Sequence, residues 1–204
     1  STAILPEAIL DDLRPGEGEF APDLVYVTDK ARAKSASYDK ILIDPMMYFA
    51  PLVQQRRLSS SDRQVLLNNF QVLMARQLAK DFQLVHEPTP GTVRVQFAVL
   101  PATREPVAMD TVALVARNDP DKEVVTEAFT SPLIHSADLL VEAEWTDAVT
   151  GEVLGATVDR HFGQTRFSGG ELKSWADVNR YLDAYAALIR YRRCRFRGQE
   201  GCMP

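Results

Sequence analysis

The segment from Ala137 to Phe162 constrains the fold of this chain most, because it predicts a β-hairpin together with its turn and its register. The turn runs from Asp147 to Glu152. Its Asp can bond backbone N–H groups ahead of it, and Gly151 stands where a four-residue hairpin loop needs a positive φ. Pairing Asp147 with Glu152 then fixes every other pair of the hairpin, since a slip of one residue would exchange its two faces.

That register predicts one apolar face and one charged face. The apolar face consists of three opposed pairs and is expected to be buried: Trp145 with Leu154, Ala143 with Ala156, and Val141 with Val158. The charged face, called here the acidic hairpin face, gathers Glu142, Glu144, Thr157, Asp159 and His161, with Asp138 opposite His161. It has the residue types for a divalent cation site, a small-ligand site or acid–base catalysis. It also has the composition of the solvated face of an antiparallel sheet, and this second interpretation is favoured.

Two helices are predicted from apolar residues at helical spacing. The first covers about residues 61–81 and follows a run of N-cap residue types, with Arg63 and Gln71 among the polar side chains expected in solvent. The second covers about 174–193 and begins with a near capping box at 174–177, in which Asp replaces the usual Glu or Gln.

Alternating or short apolar runs predict the strands. Residues 24–27 form a short edge strand, and residues 38–49 form a core strand that bends at Asp44-Pro45. Residues 83–86 and 93–99 are expected to form an antiparallel pair. Together with the hairpin and the helices, these strands predict an α+β fold with a mostly antiparallel or mixed sheet and helices packed on one face.

The domain organisation follows from where these elements stop. Residues 1–37 mix Pro and Gly with short apolar pieces and are expected to form an amino-terminal arm. Residues 38–193 form a single α+β domain, within which 101–136 is an insertion with both strand and helix signals. Residues 194–204 form a C-terminal tail.

Composition and motifs exclude several classes of protein. With 23 basic and 28 acidic residues and a formal net charge of -5, the chain is not expected to bind nucleic acid, which requires phosphate neutralisation. No apolar run approaches the roughly 18 residues of a membrane span. No nucleophile elbow, P-loop or two-His metal motif occurs. We therefore expect no enzyme, no cofactor, and no catalytic or metal-binding residues; a homo-oligomer stays open.

The two cysteines, Cys194 and Cys202, stand eight positions apart near the end of the chain. Two glycines between them let a short loop close. Spacing alone leaves two interpretations open, a disulfide in an oxidising compartment or two free thiols in a frayed tail.

Arginine is concentrated just before this loop. Five arginines interleave with Tyr191 and Phe196, namely Arg190, Arg192, Arg193, Arg195 and Arg197. One interpretation is a contact with an anionic surface, such as lipid headgroups. The favoured interpretation is stabilisation of the carboxyl end of a helix together with solubility.

Four sequence pieces, in this order, are similar to one family. They are DDLRPGEGEFAPDLVYV leading into YDKILIDP, the passage MARQLAKDFQLVHEPTPGTVRVQFAV, the following LPATREP, and EAEWTDAVTGEVLGATVDRHFGQ with its D-x-x-T-G-E-V-L motif. On these pieces the chain resembles the uncharacterised bacterial lipoproteins grouped as domain of unknown function 3313.

The resemblance implies an exported protein on the periplasmic side of a Gram-negative envelope, anchored to the outer membrane through a lipidated amino-terminal Cys. It supplies no activity and no catalytic residues. No lipobox Cys is seen in this sequence, so membrane association is expected only through an anchor outside it. An oxidising envelope favours the Cys194–Cys202 disulfide. We expect a non-enzymatic domain that binds another envelope protein or lipid, with a ligand-binding or catalytic acidic hairpin face as the alternative.

Overall fold

The fold is known from a computed structural model that describes residues 3–51, 59–101, 109–114, 119–128, 139–160 and 174–204. The helices are α1 (Glu7–Leu10), α2 (Asp29–Lys34), α3 (Ser60–Leu78) and α4 (Trp175–Phe196), with a short 3-10 turn (Ser35–Ser37) after α2. The strands are β1 (Arg14–Pro15), β2 (Leu24–Val27), β3 (Lys40–Ile43), β4 (Met47–Pro51), β5 (Gln83–Leu84), β6 (Thr92–Pro101), β7 (Met109–Ala113), β8 (Leu139–Asp147) and β9 (Val153–Arg160).

Within the described ranges, these nine strands form one mixed sheet, which confirms the predicted α+β class. The strand order is β1-β2-β9-β8-β6-β3-β5, and β4 extends the sheet by pairing with β6 and with β7. The bend at Asp44-Pro45 separates β3 from β4, and both strands run parallel to β6. Antiparallel pairing is confined to β1, β2, β9, β8 and β6 on one side and to β4 with β7 on the other.

Two predicted strand placements are wrong. β5 does not pair with β6, because β3 lies between them and runs parallel to both. All three apolar residues of β3 are buried, and a strand buried on both faces fits an inner position better than the two-residue β5 does. β2 is not an edge strand either, since β1 pairs with it on the side away from β9.

The hairpin has the predicted turn. The Asp147 N–H donates to the Glu152 carbonyl at 2.9 Å, and the Asp147 carboxylate accepts from the N–H groups of Val149 and Thr150 at 2.9 and 3.0 Å. Gly151 has a φ of 74°. The predicted register is therefore correct where the strands leave the turn.

Beyond the turn, the predicted register is wrong by one residue. A shift between Trp145 and Thr146 places Trp145 opposite Gly155 and Val141 opposite Asp159. An extra residue in one strand turns all later side chains to the other face. Gly155 fits at this irregularity because a Cβ there would lie 2.8 Å from the carbonyl oxygen of Tyr26 in β2.

The shift exchanges the faces of β9. Asp159 now points to the same side as Val141, whereas Ala156 and Val158 point to the opposite side, against Leu5 and Ile9 of the amino-terminal arm. Of the predicted inward residues of β9, only Leu154 belongs to the main core. The predicted burial of Ala156 and Val158 is correct, but they are buried under the arm.

Both long helices cover the sheet face that carries Val141. Phe70 of α3 contacts the Phe97 ring at 6.0 Å and the Tyr185 ring of α4 at 5.9 Å. The predicted solvated side of α3 is wrong at two positions, since Arg63 is 8% exposed and Gln71 is 2% exposed, whereas Lys80 is exposed as predicted. The Gln71 amide accepts from the Met46 N–H at 2.9 Å and donates to the Asp44 carbonyl, so that side of α3 holds the bend between β3 and β4.

α4 begins at the predicted capping box of Ser174 and Asp177. It continues to Phe196, so that Cys194 lies in its last turn rather than in a separate tail. Among the described helices, none is both long enough and apolar enough to span a bilayer.

Candidate functional site

The five clustered arginines have different environments in the structure. Arg190 donates to the Asp81 carboxylate from Nε and Nη2 at 2.9 and 3.0 Å, which joins α4 to the end of α3. Arg192 donates to Asp159 from Nη1 and Nη2 at 2.8 and 2.9 Å. These two arginines therefore join segments of the fold through ion pairs.

The Asp159 carboxylate is the centre of a buried polar network. Asp159 is 0% exposed and also accepts a hydrogen bond from the Tyr185 hydroxyl at 2.8 Å. The remaining face of Arg192 donates from Nε to the Phe20 carbonyl at 2.7 Å. Burial, together with the charge of Asp159, raises the pKa of Tyr185 well above its usual value. Burial alone would lower the pKa of Arg192, but the hydrogen bonds that Arg192 donates to Asp159, together with the Asp159 charge, reverse this and raise the pKa.

Arg193 and Arg197 have aromatic neighbours instead of carboxylates. The Arg193 guanidinium carbon lies 4.2 Å from the centre of the Trp145 ring and 4.8 Å from that of Phe196. The Arg197 guanidinium lies 4.6 Å above the Phe82 ring, and its Nε and Nη1 are buried with no hydrogen-bond partner among the described residues. Burial and repulsion from Arg192 and Arg197 lower the pKa of Arg193 to about 10, which still leaves it charged at neutral pH.

These two arginines line a cavity between β2, β9, α2 and the end of α4. We call it the arginine cavity. Its volume is about 50 Å³, several times the roughly 10–15 Å³ that one buried water occupies. Its described walls are formed largely by apolar side chains, and none of the described lining residues is acidic. Thr157 also lines it, and its hydroxyl oxygen is buried without a hydrogen-bond partner among the described residues.

Local contacts fix the end of α4 at this cavity. The Ser35 hydroxyl donates to the Phe196 carbonyl at 3.2 Å and so joins the end of α2 to α4. The predicted disulfide between Cys194 and Cys202 is present, with a Cα–Cα distance of 5.7 Å. Arg197 lies inside the loop that this disulfide closes, and Gly198, with a φ of 69°, ends the helix directly after it.

Arg195 is the clustered arginine whose side chain points to solvent. It is exposed, and it has no hydrogen bond or ion pair with any described residue. It lines an open surface depression together with Arg32, Tyr191 and Phe196, and Glu17 and Glu19 line the same depression. Among the described residues, the predicted anionic contact surface is thus reduced to Arg195, which has no partner there, beside the basic side chain of Arg32.

The acidic hairpin face does not assemble. Glu142 accepts hydrogen bonds from the N–H groups of Ala3 and Ile4 at 2.9 and 3.0 Å, and burial raises its pKa although these bonds oppose the shift. Glu144 is on the same side, whereas Asp159 is on the helix side of the sheet. His161 and Asp138 lie outside the described residues. The described part of the chain contains no group of three His, Cys, Asp or Glu placed to hold a metal ion.

A family model described as a protein of unknown function, DUF3313, matches residues 6–189. The chain belongs to this family. No curated protein matches it. The DUF3313 match includes the hairpin and most of α4, and it ends directly before the first of the five clustered arginines.

Sequence reasoning for this DUF3313 chain found Arg193 and Arg197 but missed the cavity in which they meet. Trp145, Phe82 and Thr157 complete its walls from three separate segments. The alternation of arginine with aromatic residues in 190–197 was the available signal. It indicates cation–aromatic contacts but does not say which rings are used, since two of them come from distant strands and loops.

Proposed function

We propose that this DUF3313 protein is a non-enzymatic lipoprotein domain on the periplasmic side of the bacterial envelope, anchored to the outer membrane, which binds an anionic envelope component. The resemblance to envelope lipoproteins supports the location, and the Cys194–Cys202 disulfide fits an oxidising compartment. The proposal assigns no catalytic residue.

The observation that carries the binding role is the exposed Arg195 beside Arg32, since Arg195 has no ion pair within the described part of the chain. Positive side chains next to Tyr191 and Phe196 are suited to an anionic lipid surface, where aromatic rings lie at the level of the headgroups. Glu17 and Glu19 border the same depression, so the local charge is mixed. We therefore expect weak binding that falls further as salt is added.

Co-sedimentation with vesicles tests the proposal. Vesicles of phosphatidylglycerol and phosphatidylcholine should retain the protein at low salt, and pure phosphatidylcholine should not. Arg32→Gln/Arg195→Gln should remove most of this binding, because each basic residue near the surface contributes about 1 kcal/mol. A matched control is Arg180→Gln, since Arg180 is 75% exposed at the other end of α4.

Equal sedimentation of the wild type, the double variant and Arg180→Gln would contradict a lipid contact at this surface. If no vesicle retains the wild type, the lipid contact is excluded, and a protein partner has to be tested separately. Light scattering after size exclusion then tells whether that protein is a second copy of this chain.

A further inference from the structure

We propose that the arginine cavity is a binding site for a small organic carboxylate, with Arg193 and Arg197 as its charge partners. Among the described lining residues, the site shares Phe196 with the surface around Arg195 but uses different arginines, and the proposal does not depend on the envelope role given above. The ligand class follows from the charge, the unpaired polar atoms, the size and the walls of the cavity.

The charge of the cavity favours an anion, because its two arginines are half-buried and only partly screened by water. Two guanidinium groups line it, and no described lining residue supplies a negative charge. Uncompensated charges in the interior of a protein are costly. Arg192, one residue before Arg193 on α4, has such compensation, because it donates hydrogen bonds to the buried Asp159 carboxylate. A carboxylate from solution would do for Arg193 and Arg197 what Asp159 does for Arg192.

Polar atoms of two lining residues are shielded from solvent and lack hydrogen-bond partners among the described residues. Nε and Nη1 of Arg197 are buried donors without an acceptor among the described residues, and the Thr157 hydroxyl is a buried group without a partner there. Groups of this kind are normally hydrogen-bonded in folded proteins. A carboxylate presents two oxygens that accept from guanidinium N–H groups and from a hydroxyl, and its plane matches the plane of a guanidinium.

The volume and the lining residues of the arginine cavity limit the class of ligand further. A volume of about 50 Å³ admits a carboxylate with a short body, since each water takes roughly 10–15 Å³. The walls near the arginines are aromatic and aliphatic, from Trp145, Phe82, Phe196, Val27 and Leu154. They suit an apolar body and not a second charge. A short monocarboxylate therefore fits better than a phosphate, which has a tetrahedral, fully polar head.

Titration with propionate and acetate tests the site. Each sodium salt is compared with sodium chloride at the same ionic strength, and inorganic phosphate is the third anion. We measure the melting temperature and the indole N–H resonance of Trp145, assigned with Trp145→Phe. Propionate should shift this resonance in a saturable way and raise the melting temperature with concentration, because it binds the folded state.

Variants connect the response to the two arginines. Arg197→Gln and Arg193→Gln should each weaken propionate binding at least tenfold, and Arg197→Lys should weaken it less, because it keeps the charge but loses the planar group. Arg180→Gln and Arg195→Gln should bind propionate like the wild type. Unchanged far-UV circular dichroism ensures that a lost response does not come from unfolding.

Three results would overturn the proposal. They are a response to propionate no larger than that to chloride, an equal response in Arg197→Gln and in the wild type, and a response to phosphate stronger than to propionate. Failure of this site leaves the vesicle result untouched, because that assay depends on Arg32 and Arg195.

Discussion

Arg192 and Arg193 are neighbours on α4, yet their surroundings differ in kind. Arg192 donates to the Asp159 carboxylate and to the Phe20 carbonyl, and its side chain is 12% exposed. Arg193 lies on the Trp145 and Phe196 rings and has no carboxylate partner among the described residues. A cluster of arginines in sequence is therefore not one functional unit. The position of each acidic side chain decides which arginine is structural and which is open to a ligand.

The hairpin irregularity creates this difference. Because the register shifts beside Leu154, Asp159 opposes Val141 and points toward α4. There its carboxylate accepts hydrogen bonds from Tyr185 and Arg192. In a regular hairpin, Asp159 would point toward the amino-terminal arm, and Arg192 would lose its carboxylate partner and keep its hydrogen bond to the Phe20 carbonyl. One extra residue in β9 thus supplies the carboxylate that makes Arg192 structural.

The largest change in the free energy of unfolding is expected from breaking the ion pair between Arg192 and Asp159. Asp159→Asn removes the negative charge and leaves Arg192 charged and nearly buried, which should lower the free energy of unfolding by about 3–5 kcal/mol. Urea unfolding at pH 7 measures this. The control is Asp183→Asn, because Asp183 is exposed on the same helix and bonds only Gln77 among the described residues; we expect a change within about 0.5 kcal/mol.

A double variant sharpens the same test. Asp159→Asn/Arg192→Met removes both charges, so it should recover part of the stability that Asp159→Asn loses. A double variant less stable than Asp159→Asn would show that Arg192 acts mainly through Phe20 and not through Asp159.

The second prediction concerns the Cys194–Cys202 disulfide, which closes the loop that contains Arg197. Cys194→Ser/Cys202→Ser opens the loop that contains Arg197, and the loop-entropy estimate for eight residues gives a loss of about 2–3 kcal/mol. If the loop also positions the guanidinium, propionate binding should weaken with it. Unfolding of the wild type with and without reductant is the control. A variant that loses stability but keeps full propionate affinity would separate the disulfide from the arginine cavity.

Sequence reasoning reached the elements that depend on local chemistry. The cap of α3 at Ser59, the capping box of α4 and the turn at Asp147 all involve residues within a few positions of each other. Sequence reasoning was wrong where the structure depends on contacts between segments that are far apart in the chain. Neither the insertion of β3 between β5 and β6 nor the close approach of Tyr26 to Gly155 leaves a local pattern. The arginine cavity was missed for the same reason, because its walls come from several segments that are far apart in the chain.

The third prediction compares Arg197 directly with Arg192. Arg197→Gln loses a contact with the Phe82 ring worth about 0.5–1 kcal/mol. It also removes two buried donors without a partner, each group costing about 1–3 kcal/mol. In chloride buffer the variant should therefore be as stable as the wild type or more stable, whereas Arg192→Gln should be clearly less stable. A loss for Arg197→Gln as large as that for Arg192→Gln would mean that both arginines are structural.

The same contrast exists between two carboxylates on the arm side of the hairpin. Glu142 is buried but accepts hydrogen bonds from the N–H groups of Ala3 and Ile4. Glu144 is half-buried, and its Oε2 is shielded from solvent without a partner among the described residues. The Glu142 carboxylate holds the arm, whereas the Glu144 carboxylate has no hydrogen bond to lose among the described residues.

The smallest effect is expected at Glu144 and depends on pH. Burial raises the pKa of Glu144, whereas in the unfolded chain a Glu has a pKa of about 4.3. As the pH rises above that value, the unfolded state releases its proton first, so the free energy of unfolding falls. Glu144→Gln removes this loss and should be more stable than the wild type at pH 7, by a difference that shrinks below pH 4 as both states become protonated. Urea unfolding at both pH values measures this, with the exposed Glu87→Gln as control. A variant no more stable than the wild type at pH 7 would mean that the Glu144 carboxylate has a stabilising partner, and the contrast with Glu142 would then not hold.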